Sequence, residues 1–84
     1  MASYSEDERV LRQLLKQLRL DQGMTQLDLA MRVGHSQHVI SKIERGHRRL
    51  YATQLFDYVE LGYGMSPTQF AKQYERARGA RRRV

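Results

Sequence analysis

Apolar residues recur at intervals of three and four in several consecutive stretches of the chain. The first stretch, residues 10–18, follows a capping box formed by Ser5 and Glu8, so a helix is predicted to begin near Glu6 and to stop at Gly23. Four further helices are predicted in the same way, at about residues 25–33, 36–45, 51–61 and 66–76. No stretch shows the alternation typical of a strand that would compete with these helices. The pattern therefore predicts an all-α chain.

The stretch from Thr25 to Gly46 predicts two helices joined by a tight turn. Thr25 can cap the first helix, and Ser36 can cap the second. Gly34 follows the last apolar position of the first helix, where the chain needs a left-handed residue to turn. Ala30 is small, as two helices require where their backbones approach closely. This arrangement is typical of a helix-turn-helix unit.

The same stretch resembles the helix-turn-helix of the phage repressor and Cro type, the XRE family. The residues that carry the resemblance are Thr25-Gln26, Leu29-Ala30, Gly34, Ser36-Gln37, Ile40-Ser41 and Ile43-Glu44-Arg45-Gly46. The resemblance covers roughly residues 15–61, and it implies an all-α fold, a compact five-helix bundle of the lambda-repressor-like DNA-binding type. One segment departs from the family. The end of the fourth helix, residues 61–65, is about one residue out of step with the usual order of a small residue, leucine, glycine and an apolar residue.

The length of the chain indicates how many domains it forms, and the distribution of its charge indicates which class of partner it binds. With 84 residues and a net charge of +6, the chain is predicted to form one DNA-binding domain, residues 1–78, followed by a basic disordered tail, residues 79–84. The positive charge is concentrated: residues 35–50 carry four basic groups against one acid, and residues 76–84 carry five arginines and no acid. This distribution favours a polyanionic partner. The tail could bind phosphates or merely increase solubility.

In the family that the motif resembles, the second helix lies in the major groove and its exposed residues reach base edges. The base-contact candidates are therefore Ser36, Gln37, His38, Ser41 and Lys42. Glutamine suits bidentate contact with adenine, and lysine suits guanine. The alternative is that these are merely solvated polar residues on an amphipathic helix.

Phosphate contacts are expected on both sides of that helix. The candidates are Thr25, Gln26, Arg45, His47, Arg48 and Arg49. The resemblance further implies that Gln26 braces Gln37, and that Arg19 and Glu44 form a partly buried structural ion pair that orients the second helix of the motif. The alternatives are that Thr25 serves only as a cap and that residues 47–49 are only a generic basic loop.

Catalysis, metals and membranes find little support in the sequence. Cysteine is absent, and three histidines without a cysteine do not predict a zinc site, so neither a metal nor a cofactor is expected. No nucleophile with a placed base and no glycine-rich phosphate loop is present, so an enzyme is not expected. No apolar run approaches the roughly 20 residues that span a bilayer, and the N-terminus is acidic where a signal peptide would be basic. A cytoplasmic location is predicted.

The functional hypothesis is a sequence-specific regulator of transcription that binds a palindromic operator in double-stranded DNA as a homodimer, more as a repressor than as an activator. Dimerisation is assigned to the C-terminal half, around Tyr63, Phe70 and Tyr74. Three roles stay open: a phage or mobile-element repressor, a controller protein, or an antitoxin. The rival hypothesis is a protein-interaction module or antitoxin whose main partner is another protein, such as a toxin.

Overall fold

Five helices account for most of residues 5–82, the part of the chain that the computed structural model describes; side-chain surroundings are described for residues 5–79. In chain order they are α1 (Glu6–Asp21), α2 (Gln26–Val33), α3 (Gln37–Glu44), α4 (Ala52–Asp57, continued by a π-helical turn, Tyr58–Gly62) and α5 (Pro67–Arg82). No strand occurs within this described range. The predicted all-α fold with five helices is confirmed.

Capping residues set the first residues of α1 and α5. The amide of Glu8 donates to Ser5 Oγ at 3.2 Å, and the amide of Ser5 donates back to Glu8 Oε1 at 2.9 Å. At α5 the same exchange joins Gln69 to Ser66, with distances of 3.1 and 2.9 Å. Each box satisfies two amides that the helix itself leaves without acceptors. Both boxes were predicted from the serine and the Glu or Gln three residues later.

The core lies where α1, α2, α3, α5 and the π-helical turn meet. α2 packs on α3 and on the turn, while α1 packs on α3 and α5. The most completely buried side chains come from four of these elements and are Leu15, Leu29, Ile40, Ile43, Tyr58 and Val59. Phe70 of α5 closes the core and is 5% exposed. The predicted apolar stripes therefore face one another, which leaves the polar faces of α2 and α3 to solvent.

The π-helical turn, residues 58–62, lies beside the segment where the sequence departs from the spacing of the family that it resembles. The amide of Tyr63 donates to the carbonyl of Tyr58 at 2.9 Å, so this turn contains one residue more than an α-helical turn. The wider turn brings Gly62 against α2, where an added Cβ would lie 2.6 Å from Leu29 Cδ1. Only glycine fits this approach without displacing a buried side chain.

α5 is longer than predicted. The helix continues past residue 76 to Arg82, so residues 79–82 are helical rather than part of a disordered tail. The predicted boundary between residues 78 and 79 therefore does not coincide with the end of a helix. A glycine weakens a helix interior by only about 1 kcal/mol, so Gly79 alone was a weak stop signal. The rest of the predicted tail, residues 83–84, lies outside the described residues.

Candidate DNA-binding surface

The turn between α2 and α3 sets the angle of the helix-turn-helix. Gly34 has φ +79°, and its amide and that of His35 both donate to the carbonyl of Ala30, at 2.9 and 3.0 Å. Ala30 is 1% exposed and lies where the two helices pack. The left-handed glycine ends α2 in one residue, and the small side chain permits the close approach. Both features were predicted from the residue types.

The base-contact candidates lie on or beside the solvent-facing side of α3. Ser36 is the N-cap, and its Oγ accepts from the amide of residue 39 at 3.2 Å. Gln37 and His38 are exposed in the first turn, and Ser41 and Lys42 follow them one turn later and are half-buried. Residues four apart lie above one another on a helix, so these four form two columns. Their contact with bases stays a prediction.

The N-terminus of α2 carries the first two phosphate candidates. The amide of Asp28 donates to Thr25 Oγ1 at 3.0 Å, and the amide of Thr25 donates to Asp28 Oδ2 at 2.9 Å, so Thr25 is a helix cap. The bond that the Thr25 amide donates to the Asp28 carboxylate, and after it the interaction of that carboxylate with the Thr25 hydroxyl, lower the pKa of the Asp28 carboxyl. The amides of Gln26 and Leu27 precede the first intrahelical bond and point out of the helix end.

Gln26 braces a different residue from the one expected. Its Nε2 donates to Glu44 Oε1 at 3.0 Å, and within residues 5–79 no hydrogen bond joins it to Gln37. Glu44 lies at the end of α3 and its side chain is only 5% exposed, so it draws nearby donors to satisfy its charge. The expected brace between Gln26 and Gln37 is therefore not formed within the described residues.

Arg19 and Glu44 form the ion pair that connects α1 to α3, the second or recognition helix of the motif. Arg19 Nε and Nη2 donate to the two carboxylate oxygens of Glu44 at 2.7 and 3.0 Å, and Nη1 donates to the carbonyl of Met24 at 2.7 Å. Both side chains are nearly inaccessible, with 8% and 5% of their surfaces exposed. The two parallel bonds fix the orientation of the carboxylate. Gln26 adds a third donor, so α1, α2 and α3 meet at one carboxylate.

The basic loop, residues 45–50, follows α3. Gly46 has φ +79° and begins the turn out of the helix, where the amide of His47 donates to the carbonyl of Lys42 at 2.9 Å. The phosphate candidates of the loop are all exposed: Arg45, His47, Arg48 and Arg49. Arg49 is already paired inside the chain, since its Nε lies 3.4 Å from Glu8 Oε2 of α1. Exposed pairs of this kind exchange readily with other anions because solvent weakens them.

Two of the three residues assigned to the dimer interface are buried in the monomer, and the third is half-buried. Tyr63 and Phe70 are each 5% exposed, and Tyr63 Oη donates to the carbonyl of Leu15 at 2.9 Å. Tyr74 is half-buried, and its Oη reaches the carbonyl of Asp7 at 3.4 Å. Tyr63 and Phe70 pack inside the monomer, and the assignment of the interface to this C-terminal region stays a prediction. Sequence spacing could not distinguish them from surface aromatics.

Two residues that sequence analysis passed over belong to this surface. Glu8 holds Arg49, and Arg12 lies against Gly46. A signal for the second was present, because Arg12 and Arg19 are seven residues apart and so share a helix face with buried leucines. Charged residues on an apolar face commonly reach a specific partner.

Over the described residues, no three His, Cys, Asp or Glu side chains lie close enough together to hold a metal ion. Within residues 5–82, none of the helices combines the length and the hydrophobicity that crossing a bilayer requires.

This chain is similar in sequence to one protein family and in structure to several solved proteins. The helix-turn-helix family matches residues 15–61. Among solved structures, the wild-type restriction-modification controller protein C.Esp1396I is similar, with 30% identity, a TM-score of 0.82, and coverage of 88% of this chain and 95% of that one. The tetramer of that protein in complex with its natural 35-base-pair operator also has 30% identity and a TM-score of 0.82, with coverage of 88% and 96%. No curated protein matches in sequence.

Proposed function

The chain belongs to the XRE-type helix-turn-helix family, and from that premise we propose that it regulates transcription by binding a specific sequence in duplex DNA. The observation that carries the proposal is the face of α3. Gln37 and His38 are exposed in its first turn, where this motif reaches base edges, while Ile40 and Ile43 bury the opposite face. The N-terminus of α2 and the basic loop lie on either side and supply phosphate contacts. The activity is binding, and no reaction is catalysed.

Of the three regulatory roles that the sequence leaves open, similarity to a restriction-modification controller protein favours a controller. The similar protein forms a tetramer in complex with its natural 35-base-pair operator. We infer the same plan for this chain, acting in the cytoplasm on a promoter. Repression is the simpler outcome, because occupancy of a promoter is sufficient to block transcription.

Within the C-terminal half, the dimer surface is proposed to be formed by large apolar side chains that the monomer leaves exposed. These are Tyr51, Phe56 and Leu61, which are 67%, 48% and 58% exposed. They lie on or directly before the segment formed by α4 and the π-helical turn, within the half that was first assigned to the interface. A second copy of the chain is the proposed occupant, because a single recognition helix has too few base contacts for high specificity.

The dimer surface can be tested by sedimentation equilibrium. Leu61→Glu should convert the chain to a monomer and weaken operator binding, because it buries a carboxylate in the proposed contact. Met31→Glu is the matched control, since Met31 is 75% exposed on α2, outside the proposed surface. Equal dimerisation of both variants would show that the interface lies elsewhere.

The function itself is tested by selecting binding sites from a random duplex library at two salt concentrations. A palindromic consensus with half-sites about 10 base pairs apart is expected, and a duplex with two such sites should bind four chains. Gln37→Ala with Lys42→Ala should abolish the preference for that consensus. The control Lys72→Ala with Gln73→Ala makes the same two substitutions on α5 and should leave the preference intact.

A different result would refute the proposal. If no consensus emerges and binding disappears as salt rises, the positive charge provides only non-specific attraction. The chain would then be better explained as a protein-interaction module.

A further inference from the structure

Arg12 of α1 lies against Gly46, the glycine that follows the last turn of the recognition helix, α3. A Cβ added to Gly46 would lie 2.9 Å from both Cζ and Nη2 of Arg12, so the guanidinium packs directly on the Gly46 backbone. The Arg12 side chain is half-buried, and its Nη1 is shielded from solvent. A cation is favoured here, because the C-terminal end of a helix carries partial negative charge.

Gly46 is the point from which the basic loop leaves α3. Its φ of +79° turns the chain, and its amide donates to the carbonyl of Ile43 at 3.1 Å. A shift of Gly46 would move every residue that follows it in the loop. The contact with Arg12 therefore fixes the starting point of the loop relative to α1.

The far end of the loop is also held by α1 and the core. Leu50 packs against the core, and Arg49 pairs with Glu8, one turn before Arg12 on α1. A small cavity of 40 Å³ separates α1 from the loop; it is lined by Glu8, Leu11, Arg12, Ile43, Arg48 and Leu50, among others. Arg12 therefore lies between α1 and the start of the loop, while Glu8 and the core hold its far end.

We propose that Arg12 is a positioning residue for DNA binding: it does not touch DNA itself, but sets the loop so that Arg48 and Arg49 reach phosphates. This inference rests on the proposed function, because it assigns a support to the phosphate contacts of the same surface. Phosphate contacts fix the register of a protein on DNA, so a displaced loop loses affinity for any duplex sequence. The guanidinium also adds positive potential beneath the exposed arginines.

The test compares Arg12→Met with Arg9→Met. Both variants lose one positive charge on α1, but Arg9 is exposed and pairs with Glu6 of its own helix. Affinity for a duplex is measured over a range of salt concentrations. Arg12→Met should weaken binding at least about tenfold and reduce the slope of log K against log salt by about 1.8, the value expected for two lost phosphate contacts. Arg9→Met should weaken binding about twofold with little change of slope.

A DNA-free measurement separates this inference from the proposed function. Amide chemical shifts of residues 46–50 should move in Arg12→Met and stay unchanged in Arg9→Met. If they move but the wild-type chain binds no duplex, the loop support stands and the proposed function fails. If they do not move, or if the two variants lose equal affinity with equal slopes, Arg12 does not position the loop. Arg12→Lys keeps the charge without the planar group and should recover only part of the affinity; it replaces Arg12→Met if that variant unfolds.

Discussion

Removing the carboxylate of Glu44 should destabilise the domain strongly. This group accepts bonds of 2.7 and 3.0 Å from Arg19 and of 3.0 Å from Gln26, and its side chain is 5% exposed. In Glu44→Ala the guanidinium of Arg19 would remain buried with one bond, to the carbonyl of Met24. Breaking a buried pair in this way costs about 3–5 kcal/mol. Since a chain of this length has roughly 4–13 kcal/mol of stability in total, the variant should be close to unfolding.

The assay is thermal and urea unfolding followed by circular dichroism. A loss of 3–5 kcal/mol should lower Tm by at least about 12 °C in a domain of this size. Arg19→Met combined with Glu44→Met should recover most of the loss, because apolar residues of similar volume leave no buried charge. Glu6→Ala, which breaks the exposed pair with Arg9, is the control and should cost less than about 1 kcal/mol. If Glu44→Ala costs no more than this control, the buried pair does not hold the recognition helix.

Three smaller effects follow from single groups. Tyr58 Oη is buried without a hydrogen-bond partner among the described residues, so Tyr58→Phe should leave the domain's stability unchanged or raise it by up to about 1 kcal/mol. Tyr63→Phe loses the hydrogen bond to the Leu15 carbonyl and should cost about 1 kcal/mol of stability. The midpoints of urea unfolding compare the two variants, and equal losses of stability would contradict this reasoning. Gly62→Ala should cost about 1–3 kcal/mol in the same assay, because its Cβ would collide with buried Leu29, and an unchanged midpoint would mean that the π-helical turn adjusts freely. Folding lowers the pKa of Asp28, so the contribution of its carboxylate to stability is present above the unfolded pKa of about 3.9 and is lost as the pH falls through the lower folded pKa. Asp28→Asn should flatten this part of the curve of stability against pH. An unchanged curve would refute the prediction.

Local features of the fold were predictable because they depend on neighbours in the sequence. A serine three residues before a Glu or Gln specified where α1 and α5 begin, and Gly34 specified where α2 ends. Apolar spacing identified the buried faces, since helical periodicity relates residues three and four apart. The family resemblance placed the motif between residues 25 and 46. These predictions needed only interactions within one or two helical turns.

Side-chain partners across the fold were less predictable. The pairing of Gln26 with Glu44 depends on how α2 and α3 cross, and the brace to Gln37 was assigned from resemblance alone. The aromatic residues of the C-terminal half were placed in an interface, although Tyr63 and Phe70 fill the monomer's own core. A buried ring and an interface ring have the same residue type and spacing, so the sequence could not separate them.

The sequence by itself determined the five helices, the helix-turn-helix and the concentration of positive charge after the recognition helix. Each of these follows from local hydrogen bonding, helical periodicity or the count of charges along the chain. Only the tertiary structure decided that Arg12 lies beneath Gly46, that Glu8 pairs with Arg49, and that the extra residue of the fourth helix enters a π-helical turn. The first two contacts join residues far apart in the chain, and their distances depend on how whole helices pack. The DNA-binding helix is therefore specified locally, while the support of its loop arises from the packing of α1.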